Sequence, residues 1–115
     1  LIMTCYIDVL VENEDGSCDI IDYKTGRPPE QEPGAGYAYQ LAFYQLAVAR
    51  LLGKKVRQAS LHFLRNCQEW VLPPGDWLQA ATGLCRELAG KMAEADYPAN
   101  QEHCQTCPFA YLCRH

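Results

Sequence analysis

The sequence has no apolar run approaching the ~20 residues of a membrane-spanning helix, no signal-peptide pattern, no internal repeat and no low-complexity segment. A helical membrane protein and a repeat array are therefore set aside. It also lacks a surplus of positive charge, because 10 Lys and Arg stand against 14 Asp and Glu for a net −4. Binding to nucleic acid by bulk charge alone is thereby excluded. Disulfide pairing is disfavoured too: the cysteine count is odd, 7, as expected of a protein in a reducing cytoplasm.

What is present fits one domain. At 115 residues, about half of them apolar, the chain is long enough to bury a real core. It begins at Leu1 rather than Met and runs directly into an apolar stretch, as expected of the C-terminal piece of a longer polypeptide. Residues 1–98 read as the core and 99–115 as a cysteine-rich tail.

Two short apolar runs carry acids. Cys5-Tyr6-Ile7-Asp8-Val9-Leu10-Val11 and Ile20-Ile21-Asp22-Tyr23-Lys24 are rich in β-branched and aliphatic residues, and Asn13-Glu14-Asp15-Gly16-Ser17 between them has turn chemistry. They predict a β-hairpin. With a three-residue loop, Glu14-Asp15-Gly16, closed by a left-handed Gly, Asp8 falls opposite Asp22. Opposed Cβ atoms lie roughly 4.5–5.5 Å apart, and like charges there destabilise the sheet unless a cation sits between them. Because side chains alternate, Asp22 and Lys24 share a face while Tyr23 points to the other.

Two carboxylates beside an ammonium suit a hard divalent ion, Mg²⁺ or Mn²⁺, which takes one or two carboxylates and keeps waters for phosphate oxygens to displace. Such an ion can activate water, and a lysine beside it can stabilise charge on phosphorus, so the implied chemistry is phosphodiester hydrolysis. The plainer alternative is a solvated hairpin whose Asp22 and Lys24 pair at the surface, worth about 0–1 kcal/mol. A third feature favours the site. Ala38 to Leu52 is almost uncharged, predicts a largely buried helix ended by Gly53, and stacks Gln40 and Tyr44 at i and i+4 on one face, within reach of the strands or of a DNA backbone.

Ile7-Asp8, then Ile20-Ile21-Asp22-Tyr23-Lys24-Thr25-Gly26, then Gln40-x-x-x-Tyr44 resembles, in order and spacing, the PD-(D/E)XK nucleases of the RecB type. That group includes the nuclease domains of the RecBCD and AddAB helicase-nucleases and the CRISPR adaptation exonucleases. The resemblance covers essentially the whole chain. It implies a restriction-endonuclease-like α/β core, a mixed sheet of about four strands flanked by helices. It implies Asp8 and Asp22 as metal ligands with the Tyr23 carbonyl as a further one, Lys24 as the catalytic lysine, and Gln40 and Tyr44 as the helix motif. A divalent-metal-dependent exonuclease acting on DNA, joined to a helicase domain or subunit in repair or recombination, is the implied activity. One departure stands out: Tyr6 occupies a place where the family usually has Gly. The resemblance also implies a preceding helix, which in the family often adds an acidic or histidine residue and which a C-terminal piece is expected to lack.

The tail holds Cys104-x-x-Cys107-Pro108-Phe109 and Cys113, three thiols in a spacing typical of metal or iron-sulfur ligation. Three thiols leave a tetrahedral site open. His103 or His115 would complete a zinc site, and plain reduced thiols are the remaining alternative. The tail also resembles that of RecB-type nucleases holding a 4Fe-4S iron-sulfur cluster, which implies a fourth cysteine outside this chain. Cys5, Cys18, Cys67 and Cys85 read as small buried hydrophobes.

Charge is unevenly spread. Leu1 to Glu32 holds eight acids and two bases, so the rest is net positive, with Arg50, Lys54, Lys55 and Arg57 grouped at the end of the predicted helix. They are placed to meet phosphates, or to complement the helix C-terminus. Downstream, Val56 to Leu64 predicts a central strand and Glu69 to Leu72 an edge strand. Asp76-x-x-Gln79 predicts a capping box opening a helix to about Ala95, ended by Tyr97-Pro98. His62 reads as a satisfied core histidine. A non-enzymatic DNA-binding or assembly module, and a small protein whose metal-binding tail is its function, are the competing readings.

Overall fold

The computed structural model describes residues 2–96, 98 and 101–112. Its elements are strand β1 (Val9–Glu12), strand β2 (Cys18–Lys24), helix α1 (Ala35–Ala47) continued by a π-helical turn (Val48–Leu52), strands β3 (Val56–Phe63) and β4 (Gln68–Val71), and helix α2 (Trp77–Ala93). A short 3-10 turn, Gln101–Thr106, follows in the tail. The four strands form one mixed sheet in the order β1-β2-β3-β4. The β2/β3 pair is parallel, with α1 in the crossover, and the outer pairs are antiparallel. This is the α/β architecture expected from the sequence.

The hairpin register is set by its turn. Asn13 donates its N–H to the Ser17 carbonyl at 2.8 Å and Gly16 donates to the Asn13 carbonyl at 2.9 Å, with Gly16 at φ 84°. Any other residue would be strained there. The Asp15 carboxylate accepts from Ser17 N–H and Oγ at 2.9 and 2.6 Å, which holds the loop shut. Val9 then faces Ile21 and Glu12 faces Cys18, the register of the three-residue loop, which carried one residue beyond the strand puts Asp8 opposite Asp22.

Strand β1 is shorter than the apolar run predicts: Cys5 to Asp8 lie outside it. The reason is a side chain that replaces the ladder. Asp8 Oδ2 accepts the Tyr23 N–H at 2.9 Å, a donor that a continuing strand would give to a backbone carbonyl. Tyr6, 82 % exposed, points to solvent, so its bulk is accommodated where a Gly was expected.

One face of the sheet is dry. Cys18, Ile20, Ala59, Leu61 and Phe63 pack against Leu41, Tyr44 and Val48 of the helical layer, and Ile20, Leu41 and Leu61 are fully buried. Each such aliphatic side chain contributes about 1.5–3 kcal/mol. Between β2 and β3 the register slips by one: Cys18 faces Val56 but Asp19 faces Gln58, leaving Arg57 as the extra residue. Its guanidinium pairs with Asp19, so the bulge carries its own ion pair.

Helix α1 begins three residues earlier than predicted and its last turn is widened to i+5 bonding before Gly53 (φ 62°) ends it. Leu51 and Leu52 on that turn are exposed, so burial is confined to the sheet-facing side. At α2, Asp76 accepts the Gln79 N–H at 3.3 Å, the predicted cap, and Trp77 stacks edge-on against Tyr39 at 6.4 Å, joining the two helices. The helix ends at Ala93; Tyr97 lies outside the described residues.

Two expectations need correction. Cys67 is exposed in the β3/β4 turn at φ 57° rather than buried in a strand, because the tight connection between the paired strands takes the left-handed residue there. Of the others, only Cys18 is fully buried; Cys5 and Cys85 are half-buried. His62 is not in the core. It lies on the sheet face away from α1, half-exposed, with Nε2 shared between Ser60 Oγ at 3.3 Å and Glu69 at 3.2 Å.

Candidate active site

The end of β2 brings acids and a base into one cluster. Asp22 and Lys24 point from the same face, and Asp22 is only 4 % exposed. A buried carboxylate needs a counter-charge, because desolvation costs several kcal/mol. Lys24 supplies it, with Nζ 2.7 Å from Asp22 Oδ2. The approach is off the hydrogen-bonding directions, so Oδ2 makes no hydrogen bond among the described residues. It is a buried acceptor whose counter-charge is the Lys24 ammonium.

From Lys24 the contacts run onto α1. Nζ donates to Gln40 Oε1 at 2.8 Å, and Gln40 Nε2 donates to Tyr44 Oη at 3.0 Å. The i, i+4 spacing makes this relay possible, since it sets the amide and the phenol one above the other on the sheet-facing side of the helix. Burial raises the Tyr44 pKa above its ordinary value, the negative charge of Asp22 adds to it, the Gln40 hydrogen bond opposes it, and Asp8 and Cys5 contribute further upward pushes. Tyr44 therefore remains a neutral phenol, close enough to both acids to feel them. Asp8, just ahead of β1, reaches the cluster through its bond from the Tyr23 N–H.

Tyr23 turns away, as alternation requires, and meets His62 edge-on at 6.0 Å on the opposite face. Its side chain takes no part; only its backbone borders the site. The structure thus brings Asp8, Asp22, Lys24, Gln40, Tyr44 and the Tyr23 backbone together.

One residue of the cluster belongs to no motif in the sequence. The Tyr37 ring lies beneath the Lys24 ammonium, 5.0 Å from Nζ to its centroid, and contacts Phe63 edge-on at 6.4 Å. Its position three residues before Gln40, on the same helical face, is the signal that could have found it. Tyr37, Gln40, Phe43 and Tyr44 also form one wall of an open groove of about 760 Å³, whose other wall is the segment Met3 to Tyr6.

The donor set suits a hard cation. Asp22 offers a buried oxygen with no hydrogen bond among the described residues, Asp8 offers a second carboxylate, and the Tyr23 carbonyl is an oxygen donor on the residue next to Asp22. One or two carboxylates with water are what Mg²⁺ commonly uses. No group of three His, Cys, Asp or Glu side chains is placed to hold a metal among the described residues.

Half of the basic group is paired with acids of the hairpin. Lys54 pairs with Glu12 and Arg57 with Asp19, so two of its four charges are spent on the hairpin's acids. In the tail, Cys104 and Cys107 are half-buried and joined by a turn in which the Cys107 N–H donates to the Cys104 carbonyl at 3.4 Å. Cys113 and His115 lie outside the described residues. No helix of the described residues is long and apolar enough to cross a membrane.

The chain is 45 % identical over 58 residues to an ATP-dependent helicase/nuclease subunit from Moorella thermoacetica, a match covering 50 % of this chain and 4 % of that protein. Its fold is similar to that in the crystal structure of SSO0001, with a TM-score of 0.59 at 21 % identity over 93 % of this chain and 48 % of the other. The chain thus spans a small part of the Moorella relative and about half of the structural one. Residues 2–114 match the PD-(D/E)XK nuclease superfamily, and the chain belongs to it.

Proposed function

We propose that this chain carries the catalytic core of a divalent-metal-dependent deoxyribonuclease of the RecB type, the exonucleolytic part of a helicase-nuclease used in DNA repair or recombination. One observation carries the reading: Asp22, Lys24, Gln40 and Tyr44 are linked in series by contacts of 2.7, 2.8 and 3.0 Å, with the Asp8 carboxylate beside them. The name of the Moorella relative, which joins helicase to nuclease, supports the helicase partner.

In this reading Asp8, Asp22 and the Tyr23 carbonyl hold Mg²⁺ or Mn²⁺, which when bound supplies Lewis acidity at the scissile phosphodiester. Lys24 donates to a phosphate oxygen as charge builds on it. Gln40 Oε1 accepts a hydrogen bond from the ammonium and so aims its other N–H groups. Tyr44 fixes the Gln40 amide with its carbonyl toward Lys24, since the amide nitrogen is committed to the phenol. The Tyr44 proton stays on the oxygen, available to a phosphate, because burial and the neighbouring acids hold its pKa up.

The tail extends the proposal. Cys104, Cys107 and Cys113 are assigned as ligands of a 4Fe-4S iron-sulfur cluster in the full-length protein, with zinc as the competing metal. The turn that links Cys104 to Cys107 supports a shared ligand site.

The test uses the full-length protein on linear DNA with Mg²⁺ or Mn²⁺. Asp22→Ala and Lys24→Ala should each lose at least about a hundredfold in cleavage, with circular dichroism unchanged. Undiminished cleavage by either variant overturns the reading. A second reading, a DNA-binding or assembly module without catalysis, is favoured by the lack of a third metal-ligating side chain near the pair among the described residues. DNA binding with no cleavage under any divalent ion, by the full-length protein, would establish it.

A further inference from the structure

Lys24 presents three N–H donors, and its surroundings differ from side to side. One side faces Asp22 Oδ2 at 2.7 Å, one meets Gln40 Oε1 at 2.8 Å, and the Tyr37 ring lies below at 5.0 Å to its centroid. These partners are not alike. The Asp22 oxygen is the one with no hydrogen bond among the described residues, and in the proposed reading it belongs to a metal ligand. A divalent ion on Asp22 would displace the ammonium from it by charge repulsion. Among the described residues the lysine then keeps an amide oxygen and an aromatic face.

The aromatic face is itself anchored. Tyr37 stands in the first turn of α1, where its N–H donates to the Gly34 carbonyl at 3.1 Å, and its ring abuts Phe63 edge-on. Phe63 is 2 % exposed and is the parallel-register partner of Lys24 across β2 and β3. The ring is thus braced by the very position against which Lys24 is registered. An attraction between an ammonium and a ring face of this kind survives partial exposure, because it needs no hydrogen-bond angle.

We infer that Tyr37 is a positioning residue: its ring, braced by Phe63, retains the Lys24 ammonium at the reaction centre when Asp22 is engaged by a cation. This rests on the nuclease reading for its catalytic consequence but not for the contact itself. The ring, rather than the hydroxyl, is the working part.

The experiment compares Tyr37→Leu and Tyr37→Phe with the parent in the full-length protein. Two readouts are taken: kcat and KM on linear DNA, and the acetylation of Lys24 by acetic anhydride, followed by mass spectrometry. Tyr37→Leu should lower kcat about three- to tenfold. Its KM should stay within about twofold of the parent, as for a group acting in the transition state. Lys24 acetylation should rise in the same variant, with and without Mn²⁺. Tyr37→Phe should restore both. Parent-like kcat and acetylation in Tyr37→Leu would overturn the inference, as would a Phe variant as impaired as the Leu variant. Should Tyr37→Leu misfold, Tyr37→Met provides the same loss of a ring. If the parent cleaves no DNA, the nuclease reading fails while the acetylation contrast still decides whether Tyr37 holds Lys24.

Discussion

Asp8 Oδ2 takes the backbone N–H of Tyr23 at 2.9 Å, so the residue that ends the β1 ladder is also the one that brings a second carboxylate to Asp22. The two duties can be separated by substitution. Asp8→Asn keeps an acceptor for the Tyr23 N–H and should leave the melting temperature near the parent's, whereas Asp8→Ala loses the bond at a cost of about 1 kcal/mol. Both should weaken Mn²⁺ binding measured by calorimetry. Unaltered Mn²⁺ binding in Asp8→Ala would remove Asp8 from the proposed ligands.

Tyr44→Phe takes away the acceptor that fixes the Gln40 amide. The amide is then free to turn, and Lys24 loses a reliable partner for one proton. Cleavage should fall about tenfold, mostly in kcat, while stability changes by less than about 1.5 kcal/mol because the ring still fills its place in the core. A parent-like kcat would show that the helix motif serves packing alone.

The bulge at Arg57 predicts a pH dependence. The Asp19 carboxyl is held below its usual 3.8, first by the Arg57 hydrogen bond, against an opposing effect of burial, with Asn13 and the Arg57 charge helping. A depressed carboxyl contributes stability that is present above its unfolded value of about 3.8 and is lost as pH falls through the lower folded value. Arg57→Ala should therefore reduce the urea midpoint at neutral pH and flatten its decline in acid below 3.8. An acid limb as steep as the parent's would mean that other carboxyls dominate.

Much of this architecture is legible in the sequence because short-range chemistry dictates it. Asn13 to Ser17 and Gly16 specify the loop, the loop specifies the register, and the register aligns Asp8 with Asp22. The Gln40–Tyr44 pair follows from helical spacing in the same way. Features that depend on how distant pieces meet are not legible. Tyr37 comes under Lys24 only because the long, proline-containing connection from β2 lets α1 settle at one place over the sheet. The early end of β1 reflects a side chain outcompeting backbone pairing, which an apolar run does not reveal. Cys67 reads as a small buried hydrophobe from its side chain alone, yet the turn takes it in a left-handed, exposed position.

The hairpin turn also divides the molecule into places where chain length can vary and places where it cannot. A single residue added between Glu14 and Gly16, if absorbed by the strands, would turn every β1 side chain to the opposite face and take Asp8 away from Asp22. The connection spanning 25–34 has no such constraint, since it pairs with no strand and closes on a helix whose position is set by core packing. Relatives of this chain should thus differ freely in length after Lys24 and hardly at all before it. Aligned sequences that change length by one residue inside the hairpin should carry a compensating bulge.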